Sequence, residues 1–428
     1  MKVLILASGK SSRLQPISDK NLLNFCGKTV LEHQIKSLIQ VGFRDLIIST
    51  NKENKEKISN LSNFLTKKNK NLKINIVEQK DLSTGQAGGV LAAEKKLGNS
   101  PVLIISGNDV VDPSLFKDIF KKSKTEKSVL VTGLKTKEYF PGGYLKLKGD
   151  KILQVIEKPG ENNIPSNFIN IVVHFFPKIK DFLVVLKQYT NKKEGGYENA
   201  LSDFLKKENV KILRYTGFWQ AIKFPWHILD LNQFFLSNTK VNKISKNSRI
   251  HPSSIVENSI ISDGVDIKEN SIVKNSFIGK NSVVSNFSLV RNSNIGENCV
   301  VGSFTEIARS FFSDNIWTHY NYIGDSVVGE NTSFGAGSKT ANLRLDEGNI
   351  FVDIKGEKIN TNSNKIGVFC GKNIRVGAGV YFSPGVKIGS NSFINSNLVV
   401  KKDLKKNSFL KSEKNIVENK KQVPKKRG

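Results

Sequence analysis

The chain has 428 residues, 38% of them hydrophobic and 24% charged, and its 66 Lys and Arg outweigh 38 Asp and Glu to give a formal net charge of +28. That length accommodates two or three domains, each with a core of its own, and the composition is ordinary for a soluble globular protein. No run approaches the roughly eighteen apolar residues of a membrane-spanning helix, and the stretch from Val3 to Ala7 is too short for the core of a secretory signal, which argues against a secreted or membrane-embedded protein and for a cytoplasmic one.

Cys26, Cys299 and Cys370 are widely spaced and form no Cys/Cys or Cys/His cluster. Neither a disulfide framework nor a structural zinc site is expected from them. The positive charge is carried mostly by Lys, with only nine Arg, and it is spread along the chain. Readers of phosphates and bases favour Arg, and no aromatic-basic module is present, so a nucleic-acid partner is not expected. One local excess lies in residues 401–428, with 11 basic and 3 acidic residues.

The first half alternates short apolar runs with amphipathic stretches. Strands are expected at Val3–Ala7, Asp45–Ser49, Lys73–Val77 and Pro101–Ser106, and helices at Leu31–Val41, Lys55–Leu65 and Ala87–Leu97. This rhythm builds βαβ units and a mainly parallel sheet, with ligands at the carboxyl ends of the strands. Between the first strand and the next helix the chain reads Leu6-Ala7-Ser8-Gly9-Lys10-Ser11-Ser12-Arg13-Leu14. Small residues there let backbone N–H groups approach a phosphate, and Lys10, Arg13 and Lys20 add positive charge.

A stretch with apolar residues at helical spacing, from Trp226 to Ser237, joins the halves. From about Asn247 aliphatic residues recur every six positions. Ile278 to Val283 runs into Val284 to Leu289, and after a five-residue slip Ile295 to Val300 and Val301 to Glu306 follow. The beat resumes at Val328, Phe334 and Ile388. Such hexads are the mark of a parallel β-helix, in which one aliphatic side chain per short strand points inward and small residues turn the corners. After about Leu404 the beat is lost and a basic, disordered tail is expected.

The loop resembles the signature of sugar-1-phosphate nucleotidylyltransferases. Gly9, Arg13, Leu14, Pro16, Lys20, Gly27, Lys28 and His33 keep its register, while Ser11 replaces a glycine and Asp19 a proline. The likeness continues at Glu78-Gln79, at Leu82 to Ala87, at Gly107-Asn108-Asp109, at Gly143-Tyr144, at Glu157-Lys158-Pro159 and at Asn170. It implies that Leu6, Ala7, Gly9, Lys10, Gln79, Thr84 and Gly85 bind the nucleotide. Arg13 and Lys20 would act on the triphosphate, and Asp109 would hold Mg²⁺. Gly143, Glu157, Lys158 and Asn170 would bind the sugar.

One departure stands out. Such proteins usually place a second metal-binding aspartate after a tryptophan, and here Trp219-Gln220-Ala221-Ile222-Lys223 puts Ala221 in its place. Either phosphate and water complete the shell around Asp109, or Lys223 takes over part of the metal's charge, or the site no longer turns over.

The second half resembles the acetyltransferase part of bifunctional N-acetylglucosamine-1-phosphate uridylyltransferases/glucosamine-1-phosphate acetyltransferases of the archaeal type. The resemblance rests on His319-Tyr320-Asn321-Tyr322-Ile323-Gly324-Asp325 and on Gly335-Ala336-Gly337 followed by Asn342. By it His319 is the base, Tyr322 and Asn342 help bind the acceptor, acetyl-CoA is the donor, and the domain is a homotrimer. The segment from Leu345 to Asn364 interrupts the hexads and is long enough to reach a neighbouring subunit, and Ala308-Arg309 stands where relatives often carry a lysine. The expected architecture is an α/β Rossmann-like nucleotidyltransferase domain over residues 1–225, a linker helix over 226–246, a left-handed parallel β-helix over 247–404 and the tail over 405–428. The expected activity joins a nucleoside triphosphate (UTP before dTTP) to a sugar-1-phosphate, N-acetylglucosamine-1-phosphate first. A non-catalytic regulatory or scaffold subunit that binds sugar nucleotides is the alternative.

Overall fold

A computed structural model describes residues 1–140, 142–189, 195–237 and 239–412. The chain forms two compact units, Met1–Phe235 and a second beginning at Leu236. Among the described residues no helix is long and apolar enough to cross a membrane.

The first unit is built on a nine-stranded sheet. Its strands are β1 (Lys2–Leu6), β2 (Asp45–Thr50), β3 (Lys73–Glu78), β4 (Val102–Ser106), β5 (Val129–Lys135), β6 (Gly143–Lys148), β7 (Lys151–Glu157), β8 (Phe168–Phe176) and β9 (Val210–Tyr215). They lie in the order β3-β2-β1-β4-β8-β5-β9-β7-β6. The first four are parallel, as the βαβ rhythm requires. Beyond them the sheet is mixed: β8 runs antiparallel to both β4 and β5, and β6 and β7 form a hairpin. Residues of β1, β2 and β4 are almost wholly buried, the near-continuous apolar run of a strand covered on both faces.

Helix α1 (Val30–Val41) begins at Thr29, whose hydroxyl accepts from the Glu32 N–H, and stops at Gly42 in a left-handed conformation. Helix α2 spans Lys55–Lys68. The helix expected over Ala87–Leu97 is two pieces, α3 (Gly85–Ala92) and α4 (Glu94–Leu97), with Ala93 between them. The helix from His227 to Ser237 packs onto the first unit through its aromatic residues. Phe235 stacks on His33 with centroids 4.2 Å apart, and Phe234 stacks on Phe218 at 3.7 Å. The first unit thus reaches ten residues beyond the expected boundary at residue 225, because this helix has a buried apolar face and is not a free linker.

The second unit is a succession of strands two or three residues long that pair in parallel with partners about seventeen residues on. Ile260 pairs with Phe277, Ile267 with Val284, and Val273 with Val290. Three ladders are visited in rotation, so each six-residue beat adds one rung to one of them. The inward rungs include Ile278, Ile295, Phe312 and Val328 on one ladder and Val290, Ile307 and Ile323 on another, each no more than 1% exposed. The corners are turned less by small residues than by asparagine. Asn258, Asn275, Asn281, Asn292 and Asn298 all have φ between 47° and 56°, a left-handed region that asparagine tolerates better than other side chains.

The residues from Leu345 to Asn364 contain an antiparallel hairpin, Phe351–Ile354 with Glu357–Asn360. Ile350, Val352 and Ile354 are buried, and a Cβ on Gly385 would meet Ile350 at 2.9 Å, so the hairpin folds back onto its own unit. The beat also continues past the expected end at residue 404. Phe409–Leu410 pairs with Phe393–Ile394, and Leu398, Leu404 and Leu410 are themselves six apart. Residues 413–428, the rest of the expected tail, lie outside the described residues.

Cys299 and Cys370 are buried in this core, and burial pushes the Cys299 thiol up to about 12, as suits inert side chains. Phe334 is 1% exposed and meets Phe382 edge-on at 6.2 Å. Phe334→Ala is expected to destabilise the second unit by about 3–5 kcal/mol, read as a lower urea midpoint for its transition with the slope unchanged.

Candidate active site

In the strand order β3-β2-β1-β4 the chain leaves β1 toward one side of the sheet, and β4 lies on the other. The carboxyl ends of β1 and β4 therefore flank the switch point where open α/β sheets bind ligands. The loop after β1 opens there, and its base is held by buried amides. Asn54 and Asn21 both donate to the Ala7 carbonyl, at 2.9 and 3.1 Å, and Asn51 donates to the Ser8 carbonyl at 2.9 Å. The Gly107 N–H bonds the Leu6 carbonyl at 2.8 Å, which ties the loop to the segment after β4. No side chain is tolerated at Gly107, where a Cβ would stand 2.8 Å from that same oxygen.

The cavity above this base has a volume of about 500 Å³, and its lining includes Gly9, Lys10, Arg13, Lys20, Gly85 and Lys223. Lys20 reaches across to Gly9, where a Cβ would lie 3.8 Å from its ammonium. Burial pushes Lys20 down to about 8, and the Asp109 carboxylate pulls against that shift. The expected nucleotide residues divide here. Gly9, Lys10 and Gly85 line the cavity, whereas Leu6 and Ala7 are buried at the end of β1 and shape it from below. Gln79 is buried and used internally: the Ser8 hydroxyl donates to its Oε1, and its Nε2 donates to the Gly85 carbonyl at 2.9 Å and to Thr84 Oγ1 at 3.2 Å. It braces the segment carrying Thr84 and Gly85 against the phosphate loop.

Asp109 begins a short strand that pairs with Trp219–Ala221, and Ala221 stands directly opposite it. One carboxylate oxygen accepts from Trp219 Nε1 and the other from Ser106 Oγ and Asn108 Nδ2, each at 3.1 Å. Burial raises this carboxyl above the usual range despite those donors and the nearby Lys223 and Lys20 ammoniums. A Mg²⁺ ion bound by protein uses one or two carboxylates together with substrate phosphates and water. Here the second carboxylate is absent, the first is already hydrogen-bonded at both oxygens, and two lysines face it. Among the described residues no three His, Cys, Asp or Glu side chains converge as a metal centre. The donors of this chain do not by themselves fit a held Mg²⁺.

Gly143 and Glu157 are opposite residues of the β6–β7 hairpin, and a Cβ on Gly143 would collide with Glu157 Oε1. Ile169 of β8 pairs with Tyr144, so Asn170 lies beside the same hairpin. Lys158 follows in a left-handed conformation, its N–H bonded to the Gly142 carbonyl at 3.0 Å. Three further residues belong to this region. Glu198, at the start of the helix Gly196–Lys207, acts electrostatically on Glu157 and is itself influenced by Lys223, and burial raises its carboxyl. His174 is wholly buried, with Nε2 2.9 Å from Asn170 Oδ1 and Nδ1 2.7 Å from the Tyr197 hydroxyl. The Tyr197 hydroxyl donates to Nδ1, and the Nε2–H then donates to Asn170 and orients its amide.

Burial holds His174 down to about 3, against an ordinary value of 6.5. Between those values the unfolded chain accepts a proton that the folded protein refuses, so stability falls as pH drops. Relative to wild type, His174→Gln is expected to flatten the acid side of the stability profile by about 1.4 kcal/mol per pH unit, measured by denaturant unfolding at stepped pH. Identical profiles would contradict the assignment.

In the second unit Tyr322, Asn342, Asp325 and Arg309 form one cluster. Arg309 makes a paired bond to the buried Asp325, Nε to Oδ1 at 2.6 Å and Nη2 to Oδ2 at 2.7 Å. Asn342 Nδ2 donates to Asp325 and, at 3.2 Å, to the Tyr322 hydroxyl. His319 is exposed on the preceding corner, its N–H donating to Asn321 Oδ1 at 2.5 Å and its carbonyl accepting from the Gly337 N–H at 3.3 Å. Arg309 therefore brings a guanidinium to the cluster from a position where a lysine was expected one residue away.

Residues 2–222 match the family described as Nucleotidyl transferase. The bifunctional protein GlmU of Methanococcus maripaludis (strain C7) is 38% identical over 442 residues, covering 98% of this chain and 100% of that protein. The bifunctional sugar-1-phosphate nucleotidylyltransferase/acetyltransferase of Sulfurisphaera tokodaii is 31% identical over 429 residues, with coverage of 96% and 100%. Among solved structures, an apo UDP-glucose pyrophosphorylase aligns with a TM-score of 0.48 and 18% identity, covering 55% of this chain and 98% of that one. By a match across residues 2–222 and by relatives aligned from end to end, the chain belongs to the nucleotidyl transferase family, among its bifunctional members.

Proposed function

We propose that the first unit transfers a nucleotidyl group from a nucleoside triphosphate, UTP before dTTP, to a sugar-1-phosphate, with N-acetylglucosamine-1-phosphate the favoured acceptor. The observation that carries this reading is the cavity at the switch point, where a loop of backbone amides, Arg13 and Lys20 stand over the end of β1. A phosphate oxygen of the sugar attacks the α-phosphorus. A new P–O bond forms, the bond from that phosphorus to the bridging oxygen breaks, and pyrophosphate leaves with the electron pair. No proton need move and no enzyme intermediate forms, so the work of the site is positioning and neutralisation of charge. The loop amides and Arg13 hold the β and γ phosphates, and Lys20 faces the reacting group. Glu157 and Asn170 bind sugar hydroxyls, and Lys158 the sugar phosphate. In this reading Mg²⁺ arrives with the triphosphate as part of the substrate.

The second unit, in the same reading, is a left-handed parallel β-helix that acetylates an amino-sugar phosphate with acetyl-CoA and assembles as a homotrimer. The Tyr322, Asn342 and Arg309 cluster and the names of the full-length relatives support it. His319 takes the proton from the attacking amine, the amide bond forms as the thioester C–S bond breaks, and that proton passes to the departing thiolate.

Pyrophosphate release across four nucleoside triphosphates and a panel of sugar-1-phosphates tests the first activity. Release dependent on both substrates, greatest with UTP and N-acetylglucosamine-1-phosphate, is the expected result. The rival to it is a regulatory subunit that binds sugar nucleotides without turning them over. Binding of sugar nucleotide without release from any pair would establish that rival.

A further inference from the structure

Lys223 lines the same cavity as Arg13 and Lys20 and acts electrostatically on Asp109, Arg13, Glu157 and Lys158 at once. Those four belong to the phosphate loop, the segment after β4 and the sugar hairpin, so its ammonium lies among the groups that must hold the two substrates. Its placement is built. The Ile222 N–H bonds the Asn108 carbonyl at 3.1 Å, extending the pairing that sets Ala221 against Asp109. The turn that follows is pinned by His227, whose Nδ1 is 3.2 Å from the Lys223 N and 2.7 Å from the Ala221 carbonyl oxygen. The side chain crosses the face of Phe140, with the ammonium 4.3 Å from the ring centroid, which fixes its direction.

Asp109 has no acidic partner on the facing strand, and the Lys223 and Lys20 ammoniums act on it electrostatically. The reacting α-phosphoryl group carries negative charge on both non-bridging oxygens, and something positive must meet it in the transition state. We propose that Lys223 is the protein's own cation for this group, directed by Phe140 and aimed between the nucleotide and sugar subsites, so that the triphosphate binds productively without a metal shared by two carboxylates. The proposal rests on the nucleotidyl-transfer reading and deepens it by assigning the neutralising charge to a side chain.

The test is calorimetric binding of a non-hydrolysable UTP analogue in excess EDTA, run beside pyrophosphate release as Mg²⁺ is varied. Wild type is expected to bind the analogue without metal. Lys223→Gln should weaken that binding by about 10- to 100-fold, the range for losing a charge-assisted contact, and Lys223→Arg should restore most of it. Adding Mg²⁺ should recover less than half of the lost affinity, on a logarithmic scale, in Lys223→Gln. The paired change Ala221→Asp with Lys223→Gly should convert binding to a Mg²⁺-dependent process. Metal-free binding by Lys223→Gln equal to wild type would overturn the proposal, as would a wild type that binds nothing in EDTA. Near-ultraviolet circular dichroism of each variant separates misfolding from lost contact. If no pyrophosphate forms under any condition, the transfer reading fails, while the EDTA binding series still decides whether Lys223 meets the nucleotide.

Discussion

Asp109→Ala is expected to lower pyrophosphate release by at least about 100-fold, in kcat more than in KM. The carboxylate is the strongest opposing charge acting on both Lys20 and Lys223, each of which is lowered by burial. Removing it takes away the largest opposing charge from two mutually repelling ammoniums, and deleting one member of a buried charged set costs about 3–5 kcal/mol. That repulsion drives the lysines out of the positions from which they meet the phosphates. The Trp219 indole and the Asn108 amide each lose Asp109 as an acceptor as well. Asp109→Asn separates the two effects. It keeps an oxygen that can accept from Trp219 but removes the charge, so the fold should melt closer to wild type than Asp109→Ala does while the rate stays low. If Asp109→Asn recovers the wild-type rate, the carboxylate acts only as a strut and the electrostatic account is wrong.

His319→Ala is expected to reduce acetyl transfer to glucosamine-1-phosphate by about 100- to 10,000-fold, the range for losing a general base, and to leave pyrophosphate release within about twofold of wild type. The independence follows from the architecture. His319 belongs to the second compact unit, and the described residues that line the nucleotide cavity belong to the first. Formation of the free thiol of coenzyme A reads acetyl transfer, and phosphate from coupled pyrophosphatase reads nucleotidyl transfer. The exposed imidazole makes substitution inexpensive for folding, so loss of thiol release would report chemistry and not collapse. An unchanged rate of thiol release would remove His319 from the mechanism and direct attention to the Arg309, Asp325 and Asn342 cluster.

The elements legible beforehand were those with a local cause. Val3–Ala7 and Pro101–Ser106 read as strands because they are short, continuous apolar runs, and both fall within a residue of observed strands. The single helix expected at Ala87–Leu97 was misread because its apolar spacing carries through the break at Ala93, which a periodicity cannot register. The end of the second unit was set too early for a related reason. Leu404 and Leu410 keep the beat, but the lysines between them mask it. The mixed half of the sheet was not legible either, since β8 takes its place between β4 and β5 through pairings with residues 33 or more positions away.

What the sequence determined by itself is therefore local chemistry and repetition. The Gly9 to Arg13 loop, the six-residue beat and the substitution at Ala221 are visible without coordinates, because small-residue loops, coil rungs and missing carboxylates are properties of neighbouring residues. Tertiary structure alone decided which groups share a cavity. It set Ala221 opposite Asp109, brought Glu198 and Lys223 toward Glu157, and joined His174 to Asn170 and Tyr197. Those partners lie between 4 and 112 positions apart. Charges act through space and hydrogen bonds act at contact, and neither depends on separation along the chain.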